Sequence, residues 1–301
     1  MAPEKVTVEV EGRTLGLSNL DKVLYPGTET TKGEVLHYYA TVAPVLLPQM
    51  RDRPVTRLRF PEGVGGISFF EKNLPSGAPE WLPRVTIGSH SSRGSGDSVT
   101  YPLVPDLATL TYLVNLASLE LHVPQWKVQD ERPTNPDRLV VDLDPGAPAG
   151  LSECATLALA VRERLHTLGY DRTIPVTSGS KGLQIYAALD GSQSSDEVRD
   201  GMRELAQALT RDLPDLVVWK MTTSLRKGKI LLDWSQNVAA KTTICPYSLR
   251  AKDRPTVAAP RTWEELEADD AAPGRLQQLD YEEVLDRLDK DGDLMESITE
   301  S

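Results

Sequence analysis

The 301-residue sequence predicts an α/β protein of the α+β type, and three observations support this fold class. From Arg138 onward, apolar runs and helical patterns follow in the order β-α-β-β-α-β, which is typical of a small antiparallel sheet backed by two helices. The preceding residues, 1–130, mix strand and helix patterns. Acidic amphipathic patterns predict one or two further helices within 266–294. This layout occurs in enzymes and in non-enzymes, so it leaves the function open.

We therefore predict one domain, residues 1–301, with three parts. An N-terminal α/β subdomain spans 1–130, a sheet-containing subdomain spans 138–260, and residues 262–301 form a helical cap. The polar, proline-containing segment 128–137 is predicted to be a linker between the first two parts.

The elements follow from local patterns. Thr31 and Glu34 form a capping-box pattern, which predicts a helix from there to about Ala43. Serine and glycine enrichment predicts a loop at 89–97, and apolar residues at helical spacing predict a helix over 105–121. In the second subdomain we expect strands at 139–143, 173–177, 183–188, 215–220 and 229–233, and helices at about 152–168 and 195–211.

The net charge of −11 does not exclude a nucleic-acid partner, because the acidic residues are unevenly distributed. Residues 262–301 hold 14 acidic and 3 basic residues, whereas 220–261 hold 9 basic and 2 acidic residues. Such a basic stretch suits a polyanion, and a solvated charged face is the alternative.

The sequence shows no apolar run of about 18 residues and no apolar leader, so we expect a cytoplasmic protein without a membrane partner. Its only cysteines are Cys154 and Cys245. Two cysteines in these contexts predict neither a disulfide framework nor a zinc site.

Three aspartates end apolar runs. Asp142 and Asp144 follow Leu139–Val141, and side chains two residues apart on a strand share one face. Paired carboxylates suit Mg²⁺ or Mn²⁺, and a solvated acidic turn is the alternative. Asp233 ends a second run and is the candidate third ligand of a two-ion site for phosphoryl or nucleotidyl transfer.

Polar and aromatic residues around these aspartates suggest a nucleotide site. Segment 177–182, with Ser178 and Lys181, has the glycines, hydroxyls and lysine of a phosphate-binding loop but lacks the Walker spacing, and a plain hairpin turn is the alternative. Arg226 and Arg250 can neutralise phosphate charge. Phe69 and Phe70 predict a base-stacking surface, with one of the pair expected in the core.

Several segments, in order, resemble the polymerase domain of bacterial ATP-dependent DNA ligase D, a member of the archaeo-eukaryotic primase superfamily that serves non-homologous end joining. They include LSNLDKVLYPGTETTKGE, RPVTRLRFPEG, FFEKNLP, LELHVPQW, LVVDLDPG, VTSGSKGLQIY, MTTSLRKGKILLDWSQN and KTTICPYSLR. The resemblance covers about residues 14–295, without ligase or nuclease segments, so we expect a stand-alone chain or an excised domain.

The resemblance implies a primase-polymerase fold with an RRM-like antiparallel palm sheet, and it assigns roles to residues. It implies that Asp142, Asp144 and Asp233 bind the metals and that His122, which taken alone predicts a structural histidine, acts beside them. The nucleotide-binding set is Ser178, Lys181, Gln184, Arg226, Gln236, Arg250, Phe69 and Phe70. The set that binds a DNA 5′-phosphate is Asn19, Lys22 and Lys32.

One position departs from the family pattern. The loop is usually followed by Gly-Leu-His, whereas this chain has Gly182-Leu183-Gln184. A glutamine can still donate a hydrogen bond, but it carries no charge. We therefore expect Gln184 to alter nucleotide binding and leave the aspartates unaffected.

By resemblance, the expected activity is that of a DNA-dependent polymerase and primase-like nucleotidyltransferase with two Mn²⁺ or Mg²⁺ ions and NTP or dNTP substrates. The expected partners are gapped or broken DNA with a 5′-phosphate, Ku and a DNA ligase. Two alternatives are a non-catalytic module that bridges DNA ends and a glycosyltransferase that uses a sugar nucleotide.

Overall fold

The computed structural model describes residues 5–88 and 98–299, so the loop predicted at 89–97 lies outside the described residues. The helices are α1 (Lys32–Met50), α2 (Leu107–Asn115), α3 (Leu151–Thr167), α4 (Ser195–Asp212), α5 (Trp263–Ala271), α6 (Tyr281–Asp291) and α7 (Glu296–Thr299). The strands are β1 (Lys5–Val10), β2 (Arg13–Ser18), β3 (Val23–Tyr25), β4 (Thr30–Thr31), β5 (Thr56–Arg59), β6 (Phe69–Glu71), β7 (Arg84–Gly88), β8 (Ser98–Pro102), β9 (Ser118–Val123), β10 (Trp126–Gln129), β11 (Arg132–Pro136), β12 (Arg138–Pro145), β13 (Thr173–Thr177), β14 (Leu183–Ala188), β15 (Val217–Val218), β16 (Ile230–Asp233), β17 (Thr243–Ile244) and β18 (Ala259–Pro260).

The larger sheet has six strands in the order β15-β16-β12-β14-β13-β18. Its neighbours pair antiparallel except for β15 and β16, which are parallel. The predicted β-α-β-β-α-β order is confirmed, and the predicted strands 173–177 and 183–188 match β13 and β14 at both ends. The α+β character of the sequence prediction is therefore correct.

The two faces of this sheet contact different hydrophobic cores. Leu139, Val141 and Leu143 of β12 are fully buried in a core that also contains side chains of α3 and α4. Val140 alternates to the opposite face and belongs to the core shared with the N-terminal part of the chain. Asp142 and Asp144 continue on the face of Val140 because strand side chains alternate. Both carboxylates therefore leave the sheet on the side of the N-terminal sheet.

The second sheet has four strands in the order β17-β9-β5-β6, and α1 and α2 pack beside it. The start of α1 agrees with the prediction, since Thr31 accepts a hydrogen bond from the Glu34 amide at 3.2 Å and the Glu34 carboxylate accepts one from the Thr31 amide at 2.7 Å. The helix runs beyond the expected Ala43 to Met50 because Tyr38, Tyr39, Val42, Leu46 and Met50 form a continuous buried face.

Two N-terminal predictions are wrong. The helix predicted over 105–121 ends at Asn115, and Ala117 adopts a left-handed φ of 59° before β9 begins. The alternating pattern of Leu119, Leu121 and Val123, all fully buried, favours a strand there. The linker predicted at 128–137 instead belongs to the β10–β11 hairpin.

The C-terminal acidic segment forms helices, as predicted. Helix α5 packs against α3, and α6 packs against α1. Both cysteines, Cys154 and Cys245, are buried free thiols. Among the helices of the described ranges, none combines the length and apolar character that a membrane crossing requires.

Candidate active site

The site is built on one row of residues across three neighbouring strands. In the antiparallel register, Asp142 of β12 lies directly opposite Asp233 of β16 on one side and Gln184 of β14 on the other. Directly opposed residues of antiparallel strands point to the same face. The sheet therefore brings Asp142 and Asp233, which lie 91 positions apart in the numbering, side by side at its end.

Asp142 carries an unfavourable negative charge in this row. The pKa of its carboxyl is raised to about 7, chiefly by burial and in addition by the nearby Asp233 and Asp144 carboxylates. The Gln184 amide, whose Nε2 donates to Asp142 Oδ1 at 3.1 Å, opposes the shift. A bound cation would oppose it more strongly, since it would neutralise several carboxylates at once.

The other two aspartates are paired with cations of the chain itself. Asp144 Oδ1 lies 3.1 Å from Lys181 Nζ, and its Oδ2 lies 3.5 Å from Arg226 Nη1. Asp233 Oδ2 accepts from Gln236 Nε2 at 3.1 Å and lies 3.6 Å from Lys241 Nζ. The lysines and the arginine thus supply positive charge close to the point where a triphosphate would bring negative charge.

The donor chemistry fits a hard divalent cation. Carboxylate oxygens are the ligands that Mg²⁺ and Mn²⁺ prefer, and three carboxylates influence one another here. Within residues 5–88 and 98–299, however, no three His, Cys, Asp or Glu side chains already converge on one ion position. The ion pairs explain this, because Asp144 turns toward Lys181 and Arg226. The assignment of Asp142, Asp144 and Asp233 as metal ligands stays a prediction.

The segment between β13 and β14 forms a tightly hydrogen-bonded loop. Ser178 Oγ accepts from the amides of Ser180 at 3.3 Å and Gly182 at 3.2 Å. The Gly179 amide donates to a side chain, Gln278 Oε1, at 2.7 Å. The three amides are therefore engaged within the protein in this conformation. The assignment of Ser178 and Lys181 as phosphate-binding residues stays a prediction.

The two glycines of this loop are required by packing. A Cβ atom on Gly182 would lie 2.2 Å from the carbonyl oxygen of Leu143 on β12. A Cβ on Gly179, which has a φ of +67°, would lie 2.5 Å from Arg250 Cγ and 2.7 Å from the backbone of Val257. These contacts press the loop against β12 and against the segment that carries Arg250.

Most of the predicted residues line one cleft with a volume of about 310 Å³. From the predicted catalytic and nucleotide-binding sets it contains His122, Asp142, Asp144, Ser178, Lys181, Gln184, Gln236 and Arg250. Asp233 and Arg226 adjoin it through their contacts with Gln236 and Asp144. The structure therefore brings together ten residues that the sequence scatters between positions 122 and 250.

A buried carboxylate that the sequence reasoning missed connects two of these residues. Glu120 Oε2 lies 2.9 Å from His122 Nε2, and Glu120 Oε1 lies 3.3 Å from Arg250 Nε and accepts from the Ala251 amide at 3.0 Å. Burial raises the pKa of Glu120, but the histidine, the arginine and the amide together hold it below the ordinary value. Glu120 therefore acts as a carboxylate that orients both His122 and Arg250.

The aromatic pair is more exposed than predicted. Phe69 and Phe70 are 47% and 58% exposed, so the expectation that one of them belongs to the core is wrong. Both lie on the edge strand β6, and Phe60 occupies the core instead. The ring of Phe70 lies 6.4 Å from the ring of His122, with the two planes at 69°. Exposed aromatic rings beside a cleft suit base stacking.

Gln184 is engaged at both ends of its amide. In addition to the bond to Asp142, its Oε1 lies 3.2 Å from the hydroxyl of Tyr186, which also reaches the carbonyl oxygen of Ile244 at 3.1 Å. With both ends used and the residue 5% exposed, the visible role of Gln184 is to orient Asp142. Its predicted contact with the nucleotide remains a prediction.

The predicted 5′-phosphate residues gather at a separate place, the start of α1. Asn19 and Lys22 border a surface depression of about 610 Å³, and the Lys32 amide donates to the carbonyl oxygen of Lys22 at 2.8 Å. Lys32 Nζ donates to the carbonyl oxygen of Ser18 at 2.6 Å. Burial, followed by the charge of Lys22, lowers the pKa of Lys32 to about 8. Lys22 Nζ pairs with Glu62 Oε2 at 2.8 Å, and the ammonium groups of Lys22 and Lys32 at the start of a helix favour an anion.

Sequence reasoning missed further residues around the cleft: Glu120, Lys241, Thr242, Thr243 and Gln278. Alternation in the segment Ser118–Val123 would have placed Glu120 beside His122, had that segment been predicted as a strand. For Gln278 no local pattern exists, because its contacts span almost one hundred positions.

Comparison with known proteins identifies the family. The family described as "LigD, primase-polymerase domain" matches residues 31–295. The chain is 48% identical over 279 residues to the "Multifunctional non-homologous end joining protein LigD" of Mycolicibacterium smegmatis, covering 93% of this chain and 35% of that protein. It is 32% identical over 279 residues to the "Bifunctional non-homologous end joining protein LigD" of Bacillus subtilis, covering 92% of this chain and 43% of that protein.

The solved structures agree. The "Polymerase Domain from Mycobacterium tuberculosis Ligase D in complex with DNA" superimposes with a TM-score of 0.89 at 47% identity, covering 95% of this chain and 98% of that chain. The similarity extends over both sheets and confirms the predicted fold class. The chain therefore belongs to the LigD primase-polymerase domain family.

Proposed function

We propose that this protein is a DNA-directed nucleotidyltransferase that fills short gaps at broken DNA ends during non-homologous end joining. The observation that carries the proposal is the row of Asp142, Asp233 and Gln184, with Asp144 two residues further along β12. This is the donor arrangement that a two-ion nucleotidyl transfer needs at the end of a sheet. The relatives named above are end-joining proteins, and one solved neighbour is bound to DNA.

The proposed chemistry divides among the residues of the cleft. Asp142, Asp144 and Asp233 would hold two Mn²⁺ or Mg²⁺ ions, which when bound lower the pKa of the primer 3′-hydroxyl and stabilise the charge at the transferred phosphorus. Lys181 and Arg226, which face Asp144, hold the triphosphate of an incoming NTP or dNTP in line for attack.

The remaining residues position the base and the cationic groups. Phe69 and Phe70 offer exposed rings to the base pair that forms, and Phe70 lies against His122. Glu120 fixes the directions of His122 and Arg250 at the wall of the cleft. Ser178 and Gln236 add neutral hydrogen-bonding groups for the phosphates.

The proposed partners are gapped DNA with a 5′-phosphate, Ku and a DNA ligase. The site at Asn19, Lys22 and Lys32 receives the 5′-phosphate on the far side of a gap. The chain spans about 35–43% of the length of the curated relatives described above. Ku and a DNA ligase are therefore proposed as partners on the basis of family membership.

Primer extension on gapped DNA tests the proposal. The assay uses a labelled primer, Mn²⁺, and a downstream strand with or without its 5′-phosphate, and it compares NTP with dNTP. We expect nucleotide addition that requires the metal and is stimulated by the 5′-phosphate. Phosphate-dependent binding without addition, under any divalent metal, would favour the non-catalytic bridging module instead.

We expect the stimulation by the 5′-phosphate to weaken as the pH rises above about 8. Lys32, whose pKa burial and Lys22 lower to about 8, loses its proton there and no longer attracts the anion. The measurement is the binding constant of phosphorylated against unphosphorylated gapped DNA between pH 6.5 and 9.5. A Lys22→Ala variant should bind more weakly but keep its affinity to higher pH, because removal of the Lys22 charge raises the pKa of Lys32.

An exposed lysine far from this site, Lys290 on α6, provides the matched control. The Lys290→Ala variant should reproduce the wild-type pH dependence. If the wild type kept the same ratio of affinities for phosphorylated and unphosphorylated gapped DNA up to pH 9.5, the role of Lys32 would be contradicted.

A further inference from the structure

A residue of the C-terminal acidic segment, Gln278, contacts a loop of the candidate active site. Gln278 lies between α5 and α6, and its side chain reaches the loop 177–182 that borders the cleft. Its Oε1 accepts from the amide of Gly179 at 2.7 Å, and its Nε2 donates to the carbonyl oxygen of Gly182 at 2.9 Å. One amide side chain thus joins both ends of the turn.

The backbone around Gln278 is fixed independently of these bonds. Leu276 is buried in the core beneath α3 and α4, whereas Leu279 is buried in the core of the N-terminal sheet. The carbonyl oxygen of Gln277 accepts from Arg261 Nη1 at 2.9 Å, and that of Leu279 accepts from the Val257 amide at 2.9 Å. Gln278 therefore reaches the loop from a rigid support.

The identity of this residue matters because its neighbourhood is acidic. Residues 262–301 hold 14 acidic and 3 basic residues, and an acidic side chain at this position would bring negative charge to a loop that faces phosphates. A carboxylate would also lack the donor that reaches the Gly182 carbonyl oxygen beside the Ser178 amide, which donates to the same oxygen at 3.0 Å. A neutral amide, with one acceptor and one donor, satisfies both contacts.

We propose that Gln278 is a positioning residue that holds the nucleotide-phosphate loop in its binding shape, so that the C-terminal segment takes part in nucleotide binding. The expected effect on nucleotide kinetics rests on the proposed function, whereas the effect on the shape of the loop does not. The clamp sets the positions of Ser178, Ser180 and Lys181, which line the cleft. Loss of the clamp loosens the loop and weakens triphosphate binding, while the site for the DNA 5′-phosphate is built from other elements.

The test compares Gln278→Met, which keeps the length and removes both hydrogen bonds, with Gln277→Met. Gln277 is exposed, and its side chain donates within its own turn, from Nε2 to the Gly274 carbonyl oxygen at 2.9 Å, while its contact with Arg261 uses the backbone and is kept in the variant. We expect Gln278→Met to raise the KM for the nucleotide about tenfold, as the loss of two hydrogen bonds predicts. We expect kcat and the Kd for 5′-phosphorylated DNA to stay within about twofold of the control.

Amide hydrogen exchange separates this inference from the proposed function. Exchange of the amides of 178–182, measured on the free protein, should be faster in Gln278→Met than in Gln277→Met. Equal exchange in both variants would overturn the clamp whether or not the wild type adds nucleotides. A wild type that adds no nucleotide would overturn the proposed function, and the exchange result would still decide the clamp. Faster exchange with an unchanged KM would overturn the role in nucleotide binding.

Discussion

Replacement of Asp142 by asparagine is expected to reduce nucleotide addition by at least about 10³-fold. The change keeps the shape of the side chain but removes the charge at the centre of the carboxylate row, where Asp233 and Gln184 lie directly opposite. Single-turnover extension of a gapped primer with saturating Mn²⁺ measures the effect. The exposed Asp171, which pairs with His166, gives the matched control Asp171→Asn, and its activity should equal that of the wild type.

The same substitution should stabilise the protein in the absence of divalent metal. The pKa of Asp142 is about 7 in the folded chain, above its ordinary value, so folding favours the protonated carboxyl and stability falls as the pH rises from about 4 to about 7. The asparagine carries no charge, so its variant should gain on the order of 1–3 kcal/mol in the free energy of unfolding at pH 8 with chelator present. Loss of activity through misfolding would show the opposite sign, and full activity in Asp142→Asn would refute the metal site.

Replacement of Glu120 by alanine is expected to lower both stability and activity. The carboxylate is 4% exposed and contacts His122, Arg250 and the Ala251 amide, so its removal leaves the Arg250 guanidinium, the His122 ring and a backbone amide without this partner. The expected cost is about 3 kcal/mol in the free energy of unfolding, the scale for breaking a buried ion pair. Because its pKa is held below the ordinary carboxyl value, this contribution is present at neutral pH and is lost on acidification.

The effect of Glu120 on activity is expected to be about 10²-fold, since His122 and Arg250 would no longer be held against the cleft wall. Chemical denaturation measures the change in the free energy of unfolding, and nucleotide addition, assayed below the melting transition of the variant, measures the change in activity. Glu204 on α4 is an exposed glutamate that provides the control variant Glu204→Ala. A folded Glu120→Ala protein with wild-type activity would show that Glu120 acts in stability alone.

The sequence was most informative where local turn and capping signals mark the boundaries of an element. The boundaries of β13 and β14 were predicted correctly because apolar runs and glycine-containing turns frame them. The capping box of Thr31 predicted the start of α1, but its end lay seven residues beyond Ala43 because packing of the whole helix face overrides the local prolines. When tertiary contacts stabilise a helix, local sequence signals predict where the helix starts better than where it ends.

In the candidate site, too, local sequence patterns predict some features and tertiary contacts determine the others. Asp142, Asp144 and Asp233 could be chosen from strand ends alone, whereas the direct pairing of Asp142 with Asp233 depends on strand order. The helical reading of 105–121 hid the strand on which Glu120 and His122 alternate to one face. The exposure of Phe69 and Phe70 depends on β6 lying at a sheet edge, which no local pattern reveals.

The alternation along β12 has a consequence for the accuracy of the site. Leu139, Val141 and Leu143 fill one core while Asp142 and Asp144 project from the other face. A slip of one residue would exchange these sets and drive two carboxylates into hydrocarbon, at a cost of several kcal/mol each. A one-residue shift that misplaces the carboxylates is thereby also one in which the core does not form. Burial of the leucines and the valine thus selects against that shift and helps to hold Asp142 opposite Asp233.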